Sequence, residues 1–366
     1  MKRTCLALAA LLLSGTLAGC GAGGTDGSVD LAENGDLVIG GELVADADLV
    51  EAAKKEGSLV FYTGASEQSE GQVAEAFTED TGIDVEIVRL APNKLSERIL
   101  SEQAAGELGA DLIRTSGEDL ISSIADSGAL EKNPLTPDIT GAIDPAAVYD
   151  DGTYYSSFDR VYSFGYNNQV IKEAEAPQNW ADLLDEKYKG KNGVVQVGAG
   201  GSTAALTRFQ FDRLGTDWME QFAATAPRVF DSSASVTDAL ARGEIGIASI
   251  PIATAYSAME DGAPITVAIP EEGAAAYPFY LGLAADAEHP NAAKVFMNWL
   301  MSASGQELAA SIGDYPVHKD MPNPSIGEIE LPAADSDFVY RSTIEESLKN
   351  LEPDAKQWTQ IFGYTG

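Results

Sequence analysis

Basic residues, cysteine and histidine are all scarce in this chain. Twenty-three Lys and Arg stand against 57 Asp and Glu, a formal net charge of −34 over 366 residues. A field that acidic repels nucleic-acid backbones and anionic headgroups and favours solubility, although a local pocket can oppose it. The two cysteines, Cys5 and Cys20, both fall within the first twenty residues, so neither a disulfide framework nor thiol chemistry is available to the body. The two histidines, His289 beside Pro290 and His318 in YPVHKD, show no metal-ligand spacing and are expected at the surface in turns. No G-x-S-x-G elbow is present, and carboxylates are too abundant to single out an acid–base pair. The sequence therefore points away from an enzyme and calls for no cofactor. After the first twenty residues no apolar run is long enough to cross a bilayer.

What is present begins with MKRTCLALAALLLSGTLAGC. Lys2 and Arg3 followed by a short apolar run read as an export signal. Leu17-Ala18-Gly19-Cys20 resembles the lipobox of bacterial lipoproteins, which implies cleavage after residue 19 and acylation of Cys20; the plain alternative is an ordinary cleavage site. Residues 1–19 are then a signal peptide and 20–49, opening on a Gly-, Asp- and Ser-rich stretch, a flexible tether. The expected location is the outer face of the cell membrane, held by lipid.

The remaining residues, about 320 of them, suit two lobes better than one core. Short apolar runs alternate with amphipathic segments, the pattern of an α/β protein. Strands are expected at Ser58–Tyr62, Val85–Arg89 and Asp111–Ile113, with Ser66 capping one intervening helix and Gly82 ending it. A second unit is expected after the polar stretch 150–159, with strands at Val161–Tyr166 and Gly193–Val197. Ser116-x-x-Asp119 and Ser235-x-x-Asp238 resemble capping boxes.

In such sheets ligands lie beyond the carboxyl ends of the strands. Those ends carry Thr63-Gly64-Ala65-Ser66 and Thr115-Ser116, hydroxyl-bearing and placed at helix starts where free N–H groups favour an anion. Gly198–Thr203 is a glycine-rich loop opening another helix. It lacks the lysine of a phosphate loop and the dinucleotide spacing, so close approach of backbone to a small anion is the better reading. Two roles stand open for the serines and threonines: capping helices, or meeting the ligand.

Five segments carry a resemblance to a family. AAKKEG (52–57) with LVFYTGASE, ADLIRTSGED (110–119) with DSGAL (126–130), NWADLLDEKYKGK (179–191), ALARGEIGIA (239–248), and HPNAAKVFMNWLMSASGQELAA (289–310) with DYPVHKD resemble the ferric-iron-type solute-binding proteins of bacterial ABC importers. The resemblance implies an α/β, two-lobed periplasmic-binding-protein-like fold of type II, each lobe a sheet flanked by helices, joined by crossover strands. It also implies an ABC permease and its ATPase as partners, and a monomer. By it, residues 50–155 and 253–330 form one lobe and 156–252 the other, with 331–366 packing back as a C-terminal helical segment.

Iron-binding members of that family carry two adjacent tyrosines at the places that are Ala253 and Thr254 here. Losing that pair points to a small organic anion, such as a phosphonate, phosphate ester or carboxylate. Thr63, Ser66, Thr115, Ser116, Ser202, Thr203 and Thr254 would then supply hydroxyls and helix ends, beside Gly64 and Ala65. Arg160 either clamps the anion or pairs with a neighbouring acid such as Asp159. Tyr256 and Tyr277 would wall the organic part. The rival is Fe(III) as cargo, held by Tyr256 and Tyr155 in a rebuilt site.

Overall fold

The computed structural model describes residues 29–32 and 34–364. The signal peptide and Cys20 lie outside them. The strand Ser58–Thr63 is buried on both faces, with Leu59 and Phe61 on one side and Tyr62 on the other, as a central parallel strand must be. It pairs in parallel with Asp84–Arg89 and Leu112–Ser116. The helices Glu67–Thr81 and Pro290–Met301 cover one face, bringing Phe77, Phe296 and Trp299 onto Phe61 and Leu59. A second half repeats the plan, with Asn192–Val195 parallel to both Arg228–Phe230 and Ile247–Pro251.

Two long antiparallel strands join the halves. Tyr154–Asn167 pairs with Ala274–Ala284 along most of its length, with a slip in register at Phe279 and Tyr280. The first also pairs with Ile247–Pro251 and the second with Leu112–Ser116, so one continuous sheet runs through both lobes. These are the hinge strands, and the parallel strands on either side end facing the gap between the lobes.

Several expectations need correction. The stretch expected as a tether over 20–49 is folded in its latter part. Leu37–Ile39 and Glu42–Ala45 pair as strands, and Leu37, Ile39, Val44 and Ala45 are buried in the first lobe's core. The strand expected at Val161–Tyr166 begins earlier, inside the polar stretch 150–159, and Tyr155 to Phe158 are buried within this first hinge strand. Ile252–Glu260, expected in the first lobe, sits on the second: Ala255 joins the cluster of Val236, Leu240, Ile250 and Ile265. The return crossing is Ala274–Ala284. The capping box lies one turn earlier than expected, at Ser232 and Ser235, and the helix from Glu118 starts at Gly117 without a side-chain cap. His318 is buried, its Nε2 2.9 Å from Glu42, because the N-terminal hairpin covers it.

The C-terminal helix Ile344–Phe362 opens with a true capping box of Thr343 and Glu346. It lies on the second lobe, where Trp358 stacks on Phe362 at 4.3 Å and Arg208 grips Asp354 through Nη1 at 2.9 Å.

Candidate functional site

A cleft of about 700 Å³ opens between the lobes on the front face of the hinge strands. Its walls are strand ends and helix starts, which follows from the topology: parallel strands in both lobes point their carboxyl ends at the same gap. From the first lobe come Gly64, Ala65, Ser66 and Ser116; from the second come Ser202 and Thr254; the hinge adds Arg160, Tyr277 and Phe279. Eight of the twelve residues expected at the site therefore share one cavity.

Each is held there by local chemistry. Ser66 is the N-cap of Glu67–Thr81, accepting from the Ser69 amide at 3.3 Å. Gly64 permits close approach of the Pro92 ring, which would lie 3.0 Å from any Cβ at that position. Ser116 is fully buried and its hydroxyl has no hydrogen-bond partner among the described residues. Thr254 and Ala258 lie one turn apart on the same helix face, toward the cleft.

The other four do not reach it. Thr63 donates to Glu70 at 2.8 Å and accepts from the Ala65 amide at 3.1 Å, so it shapes the loop. Thr115 is buried behind Ser116, outside the cleft lining. Thr203 gives its hydroxyl to the Val197 and Gly200 carbonyls. Tyr256 stands two residues from Thr254, about 200° round the helix. It packs toward Gly327, away from the cleft.

Arg160 turns out to have its own partner. Nε and Nη2 bond both oxygens of Asp314 at 2.7 and 2.5 Å, and both side chains are buried. Asp159, the acid expected to pair with it, bonds Arg341 instead. Burial works against the charge on Arg160, but the Asp314 carboxylate outweighs it and holds the guanidinium protonated. A second buried pair, Glu70 with Arg114 at 2.9 Å, lies behind the first-lobe wall. Arg160 lines the cleft floor as a positioned charge whose fork is already engaged.

Sequence reasoning missed Arg89 and the Ser232-Ser233 pair. Arg89 ends the Asp84–Arg89 strand, lines the cleft and donates from Nε to the Ala65 carbonyl at 3.0 Å. Its position at a strand's carboxyl end was the available signal. Ser232 and Ser233 begin the helix Ser233–Ala241, also facing the cleft. The starts of the helices Glu67–Thr81, Gly201–Phe209, Ser233–Ala241 and Ile252–Glu260 thus converge with Arg89 on one space. The acids Glu67, Asp238 and Asp261 line the same space. Alanines at 199, 234 and 258 leave the middle open. Such a cleft can hold an anion by backbone N–H groups and hydroxyls and wall its organic part with Tyr277 and Phe279.

The two tyrosines expected to hold iron, Tyr155 and Tyr256, do not assemble, although two other phenols, Tyr162 and Tyr277, lie with ring centroids 6.3 Å apart. Tyr155 is buried in the first lobe and donates to the Asn133 carbonyl at 3.0 Å. Tyr154 stacks on Tyr149. Tyr162 is buried at the foot of the second lobe, and burial raises its phenol and that of Tyr277 above the ordinary range. Among the described residues no group of three or more His, Cys, Asp or Glu is set to hold a metal ion.

Known proteins share this chain's sequence pattern and fold. The profile of a family described as bacterial extracellular solute-binding protein matches residues 72–333. A putative 2-aminoethylphosphonate-binding periplasmic protein of Salmonella typhimurium is 24% identical over 301 residues, covering 78% of this chain and 86% of its own. A Fe(3+)-binding periplasmic protein of Serratia marcescens is 22% identical over 267 residues, covering 70% and 78%. Among solved structures, AfuA of Actinobacillus pleuropneumoniae with fructose-6-phosphate bound superposes with a TM-score of 0.66 at 18% identity, covering 85% of this chain and all of that one. Iron-bound HitA of Pseudomonas aeruginosa gives 0.64 at 20% identity, over 83% and 99%. These likenesses establish the fold as the two-lobed type II arrangement.

Proposed function

Since the chain belongs to the bacterial extracellular solute-binding protein family, we propose that it captures a small organic anion in the front cleft and delivers it to an ABC permease. Relatives of this kind are binding proteins working outside the cytoplasm. The observation that carries the ligand class is the convergence of four helix starts and Arg89 on one cavity. A phosphonate, phosphate ester or carboxylate meets those donors, and Tyr277 and Phe279 wall the remainder. The named ligands of two relatives, an aminophosphonate and a sugar phosphate, belong to this class. Ferric iron as cargo finds less support, because Tyr256 turns from the cleft and Tyr155 lies in a core. In this reading Cys20 bears the lipid, the protein works as a monomer, and no cofactor takes part.

A thermal-shift screen of the ligand-stripped protein tests this. The panel is 2-aminoethylphosphonate, fructose-6-phosphate, aliphatic and aromatic carboxylates, and Fe(III). A fitting solute at a hundredfold excess over its Kd adds about 2.7 kcal/mol, a shift of several degrees. A coloured Fe(III) complex, with no response to any anion, would overturn the reading.

A further inference from the structure

The charges lining the front cleft are unevenly matched. The side chains concerned are those of Arg89, Arg160 and Arg242 and of the acids Glu67, Asp238 and Asp261. Two of the cations are already neutralised: Arg160 by Asp314, and Arg242 by Glu244, to which it donates from Nε at 2.8 Å. Arg89, by contrast, has no carboxylate at ion-pair distance among the described residues. Nor do Glu67, Asp238 and Asp261 have a cationic partner among them.

The guanidinium of Arg89 is restrained as well as unpaired. Its Nε donates to the Ala65 carbonyl at 3.0 Å, tying it to the loop that ends in the Ser66 cap. That is its one hydrogen bond among the described residues, so both Nη groups keep their donors. Such a fork matches the paired oxygens of a carboxylate or a phospho group. Burial lowers the pKa of Arg89, and the charge of Glu67 offsets part of that cost. Glu67 directly follows Ser66 at the start of its helix, so both acid and arginine stand at the same end of the cleft.

Resting on the front-cleft reading above, we infer that Arg89 clamps the solute's anionic group through its two Nη groups, and that Glu67 beside it disfavours a second negative charge. The cleft is then selective for a carboxylate or a singly ionised phospho group over a doubly ionised one. A first negative charge pairs with Arg89. A second meets Glu67, Asp238 and Asp261 with no unpaired cation left on the lining. The clamp also differs from Arg160 in its effect on the fold. An arginine already paired stabilises the solute-free protein, whereas an unpaired one costs desolvation until the solute arrives.

The test is calorimetric titration of the full chain with benzoate, phenylphosphonate and 2-aminoethylphosphonate at matched ionic strength. The affinity for those that bind should fall at least tenfold in Arg89→Met, and less in Arg89→Lys, which keeps the charge and loses the fork. The solute-free melting temperature of Arg89→Met should equal or exceed that of wild type. The phosphonates should bind wild type more weakly above their second ionisation than below it, and Glu67→Gln should narrow that difference. No histidine lines the cleft, so the change of charge over that range belongs to the ligand. Unchanged affinity in Arg89→Met would overturn the clamp while leaving the front cleft as the site. Equal or tighter binding of the doubly ionised phosphonates, or a difference that Glu67→Gln leaves intact, would overturn the role of Glu67. A wild type that binds none of the three would instead overturn the front-cleft reading, and this inference with it.

Discussion

Arg160 shows how a single residue changes meaning once its surroundings are known. With Asp314 removed from water beside it, the pair stabilises only as a pair. Arg160→Ala leaves a buried carboxylate without compensation and should cost about 3–5 kcal/mol of folding stability, read from the urea midpoint. Replacing both partners with apolar residues, Arg160→Met with Asp314→Leu, should cost much less. A variant Arg160→Ala with an unchanged midpoint and weakened solute binding would return the residue to the role of ligand clamp. What sequence could see here was limited by distance along the chain. Ser66, Ser116 and Ser202 were legible because strand ends and helix starts are local patterns, whereas Thr254 came only through the family resemblance. Asp314 lies 154 positions from Arg160, and nothing local marks it as the partner.

At the scale of elements, the same contrast separates the strands from the N-terminal hairpin. SLVFYT and VEIVR announce themselves by β-branched and aromatic content, whereas ENGDLVIGGELVADAD reads as a polar, glycine-rich spacer. It folds because four apolar side chains find the first lobe's core and because Glu42 ties it down, accepting from the Ala303 amide at 2.7 Å and meeting His318 at 2.9 Å. Tyr256 was misplaced for a related reason: its face follows from helical phase, and the sequence did not fix where that helix began. Burial works against the charge on Glu42, but the contacts with His318 and Ala303 outweigh it and lower its pKa below the ordinary 4.5. A depressed carboxyl contributes stability above its unfolded pKa and loses it as pH falls through the folded value. Glu42→Gln should therefore cost about 1 kcal/mol near neutrality. The gap from wild type should close as pH drops below the carboxylate range. Denaturant melts of both proteins across pH check this, and a gap that persists in acid would remove Glu42 ionisation as its cause.

For the whole molecule, function depends on how closely the lobes can meet. They touch here at two glycines: a Cβ on Gly201 would lie 2.3 Å from the Gly117 Cα and amide nitrogen. Gly117 itself needs a positive φ of 109°, so neither position accepts a side chain without opening the seam. Nearby, Asn93 reaches the Gly198 carbonyl across the gap at 3.3 Å. In a two-lobed binder the ligand's affinity includes the free energy of closure, so a wedge at the seam reduces affinity without touching the ligand. Gly201 sits at the first position of a helix, where alanine is a better helix former, so Gly201→Ala should fold at least as well as wild type. Its expected phenotype is a solute affinity at least tenfold weaker by calorimetry, with an unchanged melting temperature in the absence of solute. X-ray scattering of the solute-bound variant should give a larger radius of gyration than the wild-type complex. Unchanged affinity with the wedge in place would mean that the front cleft binds its anion without closing this seam.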